Sequence, residues 1–212
     1  MTEQTVIKII YSLVSLYLLT SAMAIVITAF VSKQVIKRTP NYGKEKKSNK
    51  WYIVIASAIS FLLLLRFGLE LPFIKGTVLL LIFLYAAVSD IQTRHLSDGI
   101  SVMVLLVGLI DVSGERILVN FVSALAAFLF MFGCAVLSKN KIGGADVKFI
   151  TANTFVLGFS KGVFGLAIGL ILSVIGTAVR NKVSKINDKT LPMIPYLSAG
   201  FLIEFIRYGL IK

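Results

Sequence analysis

The chain reads as apolar runs separated by short polar breaks. The runs occupy residues 6–31, 51–65, 76–90, 99–112, 117–137, 147–159, 163–179 and 191–211. They lack the strict apolar–polar alternation of a membrane barrel strand. Long stretches also lack the polar face that a helix in water must present. Lipid is the better solvent for such segments, and backbone groups in lipid must pair within their own segment, so each run is expected as a helix. The pattern predicts an all-α polytopic membrane protein with about eight transmembrane helices. Several runs fall short of the roughly 20 residues a straight span requires. Flanking residues or a locally thinned bilayer would complete them.

The breaks carry the remaining local signals. The stretch 32–50, SKQVIKRTPNYGKEKKSNK, is basic and holds Pro40 and Gly43, so a loop is expected there. Trp51 stands at the start of the second run as an interfacial anchor. The turn DIQTRHLSD follows the third run, with Ser97 or Asp98 placed to cap the next helix. DVSGER, SKNKIGGAD and RNKVSKINDK make the later connections. The first run is long and lacks a small-residue cleavage site, so it is expected as a retained span.

Composition agrees with a bilayer protein: 57% of the residues are hydrophobic and the mean hydropathy is +0.90. The formal net charge of +12 would suggest nucleic acid on a soluble protein. Here no basic patch is interleaved with aromatic residues, so no nucleic-acid partner is expected and the charge is a topology signal. With the loop 32–50 in the cytoplasm and eight spans threaded, the cytoplasmic segments are 32–50, 90–98, 138–148 and 180–190. They hold 15 of the 22 Lys and Arg. Both termini then lie outside.

Acidic residues are scarce enough to weigh singly. Glu3, Glu45, Asp111, Glu115 and Asp188 fall in polar ends or turns. Glu70 is expected to pair with Arg66, and Glu204 with Arg207 near the far interface. Asp90 and Asp146 differ. Asp90 ends an apolar run and Asp146 opens one, with two runs between them, so both lie on one side of the membrane. Each could be an ordinary helix-end residue, Asp146 as an N-terminal cap. Two close carboxylates cannot both ionise cheaply. The ionised one can take a proton from water while the protonated one gives a proton to a carbonyl and leaving nitrogen. No Ser–His or Cys–His pair competes, since the only histidine, His95, is in a turn and the only cysteine, Cys134, is in mid-run. Gly143 and Gly144 would permit positive φ and close approach of a substrate backbone, or simply a flexible turn.

The segment KIGGADVKFI resembles the GxGD motif of the prepilin peptidases (type IV leader and preflagellin peptidases), with Ala145 in place of the second glycine. SDIQTRHLSDGI resembles that family's other aspartate motif, with Ser97 where a proline is usual. TLPMIPYLSAG resembles the proline-bearing lead-in to its last helix, through Pro192 and Pro195. The resemblance covers residues 76–212 and implies a six-span aspartyl peptidase core preceded by two extra spans in 1–75. It implies Asp90 and Asp146 as the catalytic pair and Gly143, Gly144 and Ala145 as the approach to substrate. It further implies a multi-pass protein of a prokaryotic plasma membrane that cuts basic leaders from prepilin-like precursors at the cytoplasmic face. Many bacterial members carry two Cys-x-x-Cys pairs in an N-terminal loop, associated with zinc and N-methylation; the loop 32–50 has no cysteine, so no metal or cofactor is expected. Two rivals remain. Presenilin-type proteases share GxGD but usually place Tyr before the first Asp, where this chain has Ser89. A non-enzymatic transporter or pilus-assembly factor would use the two acids for ions.

Overall fold

In the computed structural model the described residues are 48–110, 112–138, 142–184 and 192–208, together with Lys33. They form helices throughout: α1 (Ser48–Phe67), α2 (Leu71–Thr93), α3 (Asp98–Gly108), α4 (Gly114–Leu137), α5 (Gly144–Leu157), α6 (Phe159–Ser184) and α7 (Ile194–Tyr208). Among the described residues there is no strand. Each apolar run from 51 onward becomes one helix; the run 6–31 lies outside the described residues.

The breaks end the helices for identifiable reasons. Gly68, at φ +62°, turns the chain after α1, and Pro72 opens α2 in the first turn, where its missing N–H costs nothing. Arg94 closes α2 in the left-handed region at φ +54°, its N–H returning to the Asp90 carbonyl at 2.8 Å. Ser97 is the N-cap residue of α3 but makes no side-chain cap bond, while Asp98 begins the helix itself.

Among the described residues three helices are long and apolar enough to cross a membrane: Leu71–Thr93, Gly114–Leu137 and the Phe159–Arg180 part of α6. The expectation of eight spans therefore holds only in part. With 11 residues, α3 rises only about 17 Å, against a hydrocarbon core of about 30 Å.

The 14-residue α5 is short for a different reason: it is the centre of the bundle. It touches α3, α4, α6 and α7. Val147, Phe149, Ile150, Ala152, Phe155 and Val156 are all buried. Its buried polar residues are satisfied within the helix, Asn153 Nδ2 donating to the Phe149 carbonyl and Thr154 Oγ1 to that of Ile150, both at 2.9 Å. By contrast α4 leaves Leu118, Phe121, Leu129 and Phe130 exposed, as a helix facing lipid would.

Two packing devices fix the helices around α5. Phe149 sits between Phe83 of α2 and Phe201 of α7 in edge-on contacts, with ring centroids at 5.6 and 6.2 Å. Gly165 and Gly169 of α6 let Gly200 of α7 approach backbone to backbone, leaving no room for a Cβ. The four-residue spacing of these glycines puts both on one face of α6, where Gly200 meets them.

Neither expected ion pair at the far end forms. The Arg66 Nε donates to the Ile206 carbonyl at 3.4 Å, and among the described residues no ion pair joins it to Glu70. Glu204 is fully buried, its two carboxyl oxygens without a hydrogen-bond partner, so it is not paired with the exposed Arg207. Helical spacing put 204 and 207 near one another along α7, but the core-facing register of α7 turned Glu204 inward with Phe201 and Phe205.

Candidate active site

Asp90 lies on the last turn of α2, buried, with the helix continuing three residues beyond it to Thr93. Its position on α2 shares the inward face with Phe83 and Ala86, which explains its burial at the rim of an apolar helix. Its Oδ2 accepts the backbone N–H of Ile194, the first residue of α7, at 3.1 Å. The turn after it is tied by Thr93, whose Oγ1 donates to the Ser89 carbonyl at 2.8 Å and to the His95 carbonyl at 3.2 Å.

Asp146 occupies the third position of α5, with Gly143 as N-cap residue. A side-chain acceptor at this position points back toward the N-cap N–H, and the Gly143 N–H is near enough to favour the ionised form of Asp146. Asp146 therefore lies within the first turn rather than being the cap itself. It stands one residue ahead of the apolar run 147–159. Burial pushes its carboxyl up from 3.8 to about 6, the negative charge of Asp90 pushes in the same direction, and the Gly143 N–H opposes both. The two acids, from different helices, are thus brought within electrostatic reach at one end of the bundle.

The small residues before Asp146 have separate functions. Gly143 is extended (φ −65°, ψ 137°), so the expected positive φ is not what selects glycine there. Space is: a Cβ on Gly143 would lie 3.1 Å from Asp146 Oδ2. A Cβ on Gly144 would meet nothing within 4 Å, so the backbone beside the acid is open on that side. Ala145 is partly buried and packs against the core, which accounts for a small apolar residue in place of glycine.

Two features escaped the sequence. Ile194 contributes through its backbone, and only the prolines around it marked the segment. Lys148, two residues past Asp146, pairs with Asp98 at 2.7 Å and joins the starts of α5 and α3 at the surface. Among the described residues no group of three or more His, Cys, Asp or Glu is placed to hold a metal ion.

A helical bundle with a buried Asp90 near the end of α2 and a half-buried Asp146 near the start of α5 has a counterpart in sequence. Residues 77–179 match the type IV leader peptidase family, a stretch that includes both aspartates and the glycines before Asp146. The resemblance carried by the aspartate motifs is thereby shown. The chain is also similar to the prepilin leader peptidase/N-methyltransferase of Bacillus subtilis (strain 168), with 26% identity over 157 residues, covering 68% of this chain. The chain spans about 60% of that relative's length. No solved structure matches it.

Proposed function

We propose that this protein is an aspartyl endopeptidase of a prokaryotic plasma membrane that removes basic leaders from prepilin-like precursors at the cytoplasmic face. The observation that carries the reading is the electrostatic coupling of Asp146 to Asp90 at one end of the bundle. In the proposed reaction one carboxylate takes a proton from water as it attacks the scissile carbonyl. The other acid donates its proton to the carbonyl oxygen; as the resulting gem-diol collapses, the first carboxyl passes the proton it took from water to the leaving nitrogen and the second takes a proton back from a gem-diol hydroxyl. The open backbone at Gly144 would admit an extended substrate segment beside Asp146.

The precursor's apolar helix stays in lipid and its basic leader stays in water, so the cut falls where the two meet. The excess of Lys and Arg in the connections on their side supports a cytoplasmic position for Asp90 and Asp146. The match over residues 77–179 supports a peptidase core that starts near residue 76; in this reading the core extends to 212 and 1–75 serves insertion and packing.

The test is cleavage of a prepilin-like reporter by the full chain in liposomes. The wild-type chain should release the leader, and Asp90→Asn and Asp146→Asn should insert normally and release none. An uncut reporter with correctly inserted wild-type chain, or cutting by either variant, would reject the proposal. The facing is checked separately: on a Cys134→Ala background, a cysteine replacing Asn140 should react with an impermeant thiol reagent only from the cytoplasmic side. Labelling from outside would invert the topology.

A further inference from the structure

We propose that the N-terminus of α7 divides the labour between the two acids: the backbone N–H of Ile194 holds Asp90 as the proton-accepting base and leaves Asp146 as the proton donor. This rests on the peptidase reading above and deepens it.

The first turn of α7 is built to offer one donor. Of its first four residues, Pro195 has no N–H. The N–H groups of Tyr196 and Leu197 both return to the Met193 carbonyl at 3.1 Å. Ile194 alone has an N–H that turns out of the helix, and it meets Asp90 Oδ2 at 3.1 Å in a buried bond between residues 104 apart in the chain. The start of a helix carries partial positive charge, and unpaired N–H groups there favour an anion. Ile194 itself is 1% exposed and part of the core, so the donor is held rigidly. The prolines at 192 and 195 thus acquire a chemical reason: they delimit a helix start whose free donor is a single N–H.

The other groups around Asp90 do not reverse this assignment. Arg94, just past the end of its own helix, is a positive charge within electrostatic reach of Asp90. Asp146 faces it from α5. Asp98 of α3 and Lys148 of α5 neutralise one another at 2.7 Å. Tyr52 of α1 packs beside Val88, and Tyr196 of α7 lies against Gly176 of α6. The His95 carbonyl, at the following turn, is bonded to Thr93. The Gly143 N–H favours the ionised form of Asp146, but burial and the negative charge of Asp90 outweigh it. Ile194 acts through Asp90 and is a positioning residue.

Coupled acids titrate as a pair, so a pH profile alone does not say which limb belongs to which residue. Deleting one donor does. In the full chain in liposomes, kcat/KM for the reporter would be measured against pH for three variants. An amide-to-ester replacement at Ile194 removes only the N–H. Ile194→Pro removes the N–H at a helix start that tolerates proline. Ile194→Ala keeps the N–H and removes most of the side chain. The ester and proline variants should move the acidic limb upward by about one pH unit and leave the alkaline limb in place. Ile194→Ala should lower thermal stability and leave both limbs in place. An unmoved acidic limb in the ester variant, a shift of the alkaline limb instead, or an equal shift in Ile194→Ala would overturn the assignment. If Ile194→Pro fails to fold, the ester variant decides alone. A wild-type chain that leaves the reporter uncut would instead reject the peptidase reading, which separates the two failures.

Discussion

Asp90 and Asp146 are the same residue type near helix ends, yet they are held in opposite ways. Asp146 is fixed locally: it lies in the first turn of its own helix, near the N–H of Gly143 three residues back, and the glycine leaves it room. Asp90 is fixed from a distance, by an N–H on a helix that begins 104 residues later. The first arrangement survives as long as α5 has its first turn. The second exists only when α2 and α7 have docked. A site built this way has one preformed half and one half that reports whether the bundle has closed.

The largest expected effect tests whether the two halves form one unit. In the proposed peptidase, Asp90→Asn and Asp146→Asn should each lower kcat/KM by roughly a thousandfold or more, and the double variant should lose little beyond either single one. Additive losses would mean the acids act in separate steps or sites.

Next in size is the packing that brings α7 to α2. Phe149 touches both Phe83 and Phe201, so Phe149→Ala should open a cavity at the junction of the three helices. A loss of about 3 kcal/mol in unfolding stability is expected. Because Asp90 depends on the docking of α7 and Asp146 does not, cleavage should fail before α5 melts as denaturant rises. Hydrogen exchange at Val147 and cleavage, followed in the same titration, check the order. Coincident loss would erase the distinction between a local and a docked acid.

That distinction also decides what the sequence could reveal. The GGAD segment carried its own geometry: a helix start, small residues and an acid at the third position all lie within four residues. The apolar runs likewise predicted the described helices, because a run's solvent preference is a local property. Span lengths were less legible. Residues 147–159 look like a truncated membrane span, but they form a core helix whose neighbours, rather than lipid, surround it. Helical spacing alone could not say that Glu204 turns inward, since residues three and four apart share a face whichever way the face points. The Ile194 donor was invisible for a further reason: backbone N–H groups are common to every residue but proline, and only the fold selects one.

A smaller effect probes the local half. In Gly143→Ala the new Cβ would lie 3.1 Å from Asp146 Oδ2, so the carboxyl must shift by a few tenths of an ångström. Cleavage should fall about tenfold, with insertion and thermal stability nearly unchanged, because the helix start tolerates alanine elsewhere but the acid loses its aim. The pH profile sharpens this. With its folded value raised from 3.8 to about 6, Asp146 binds its proton more tightly in the native state than in the unfolded state. Stability should therefore fall as pH rises across that window. If Asp146 is the donor, kcat/KM of the free enzyme should fall as pH rises through about 6. Asp90→Asn should lower the titration of Asp146 without restoring it to 3.8, since burial is the larger cause. Carbon-13 spectra of labelled Asp146 would read it directly, and a full return would mean that Asp90, rather than burial, dominates.

The smallest expected effect concerns the surface link from α5, which carries the local half, to α3. Lys148 and Asp98 meet at 2.7 Å, but their side chains are 52% and 68% exposed. Water and salt screen such a pair, and holding two long side chains in one geometry costs entropy, so about 0.5 kcal/mol is a fair expectation. Lys148→Gln and Asp98→Asn should each lower kcat/KM less than about threefold, and the double variant should resemble either single one. Raising the salt should abolish the wild-type advantage. The pair matters because of where it lies: Lys148 is two residues from Asp146, beside the open backbone of Gly144. If Lys148→Gln costs a hundredfold while Asp98→Asn is neutral, the ammonium serves something other than Asp98. The local half of the site would then contain a charged substrate contact as well as an acid, and the two halves would differ in function as well as in how they are held.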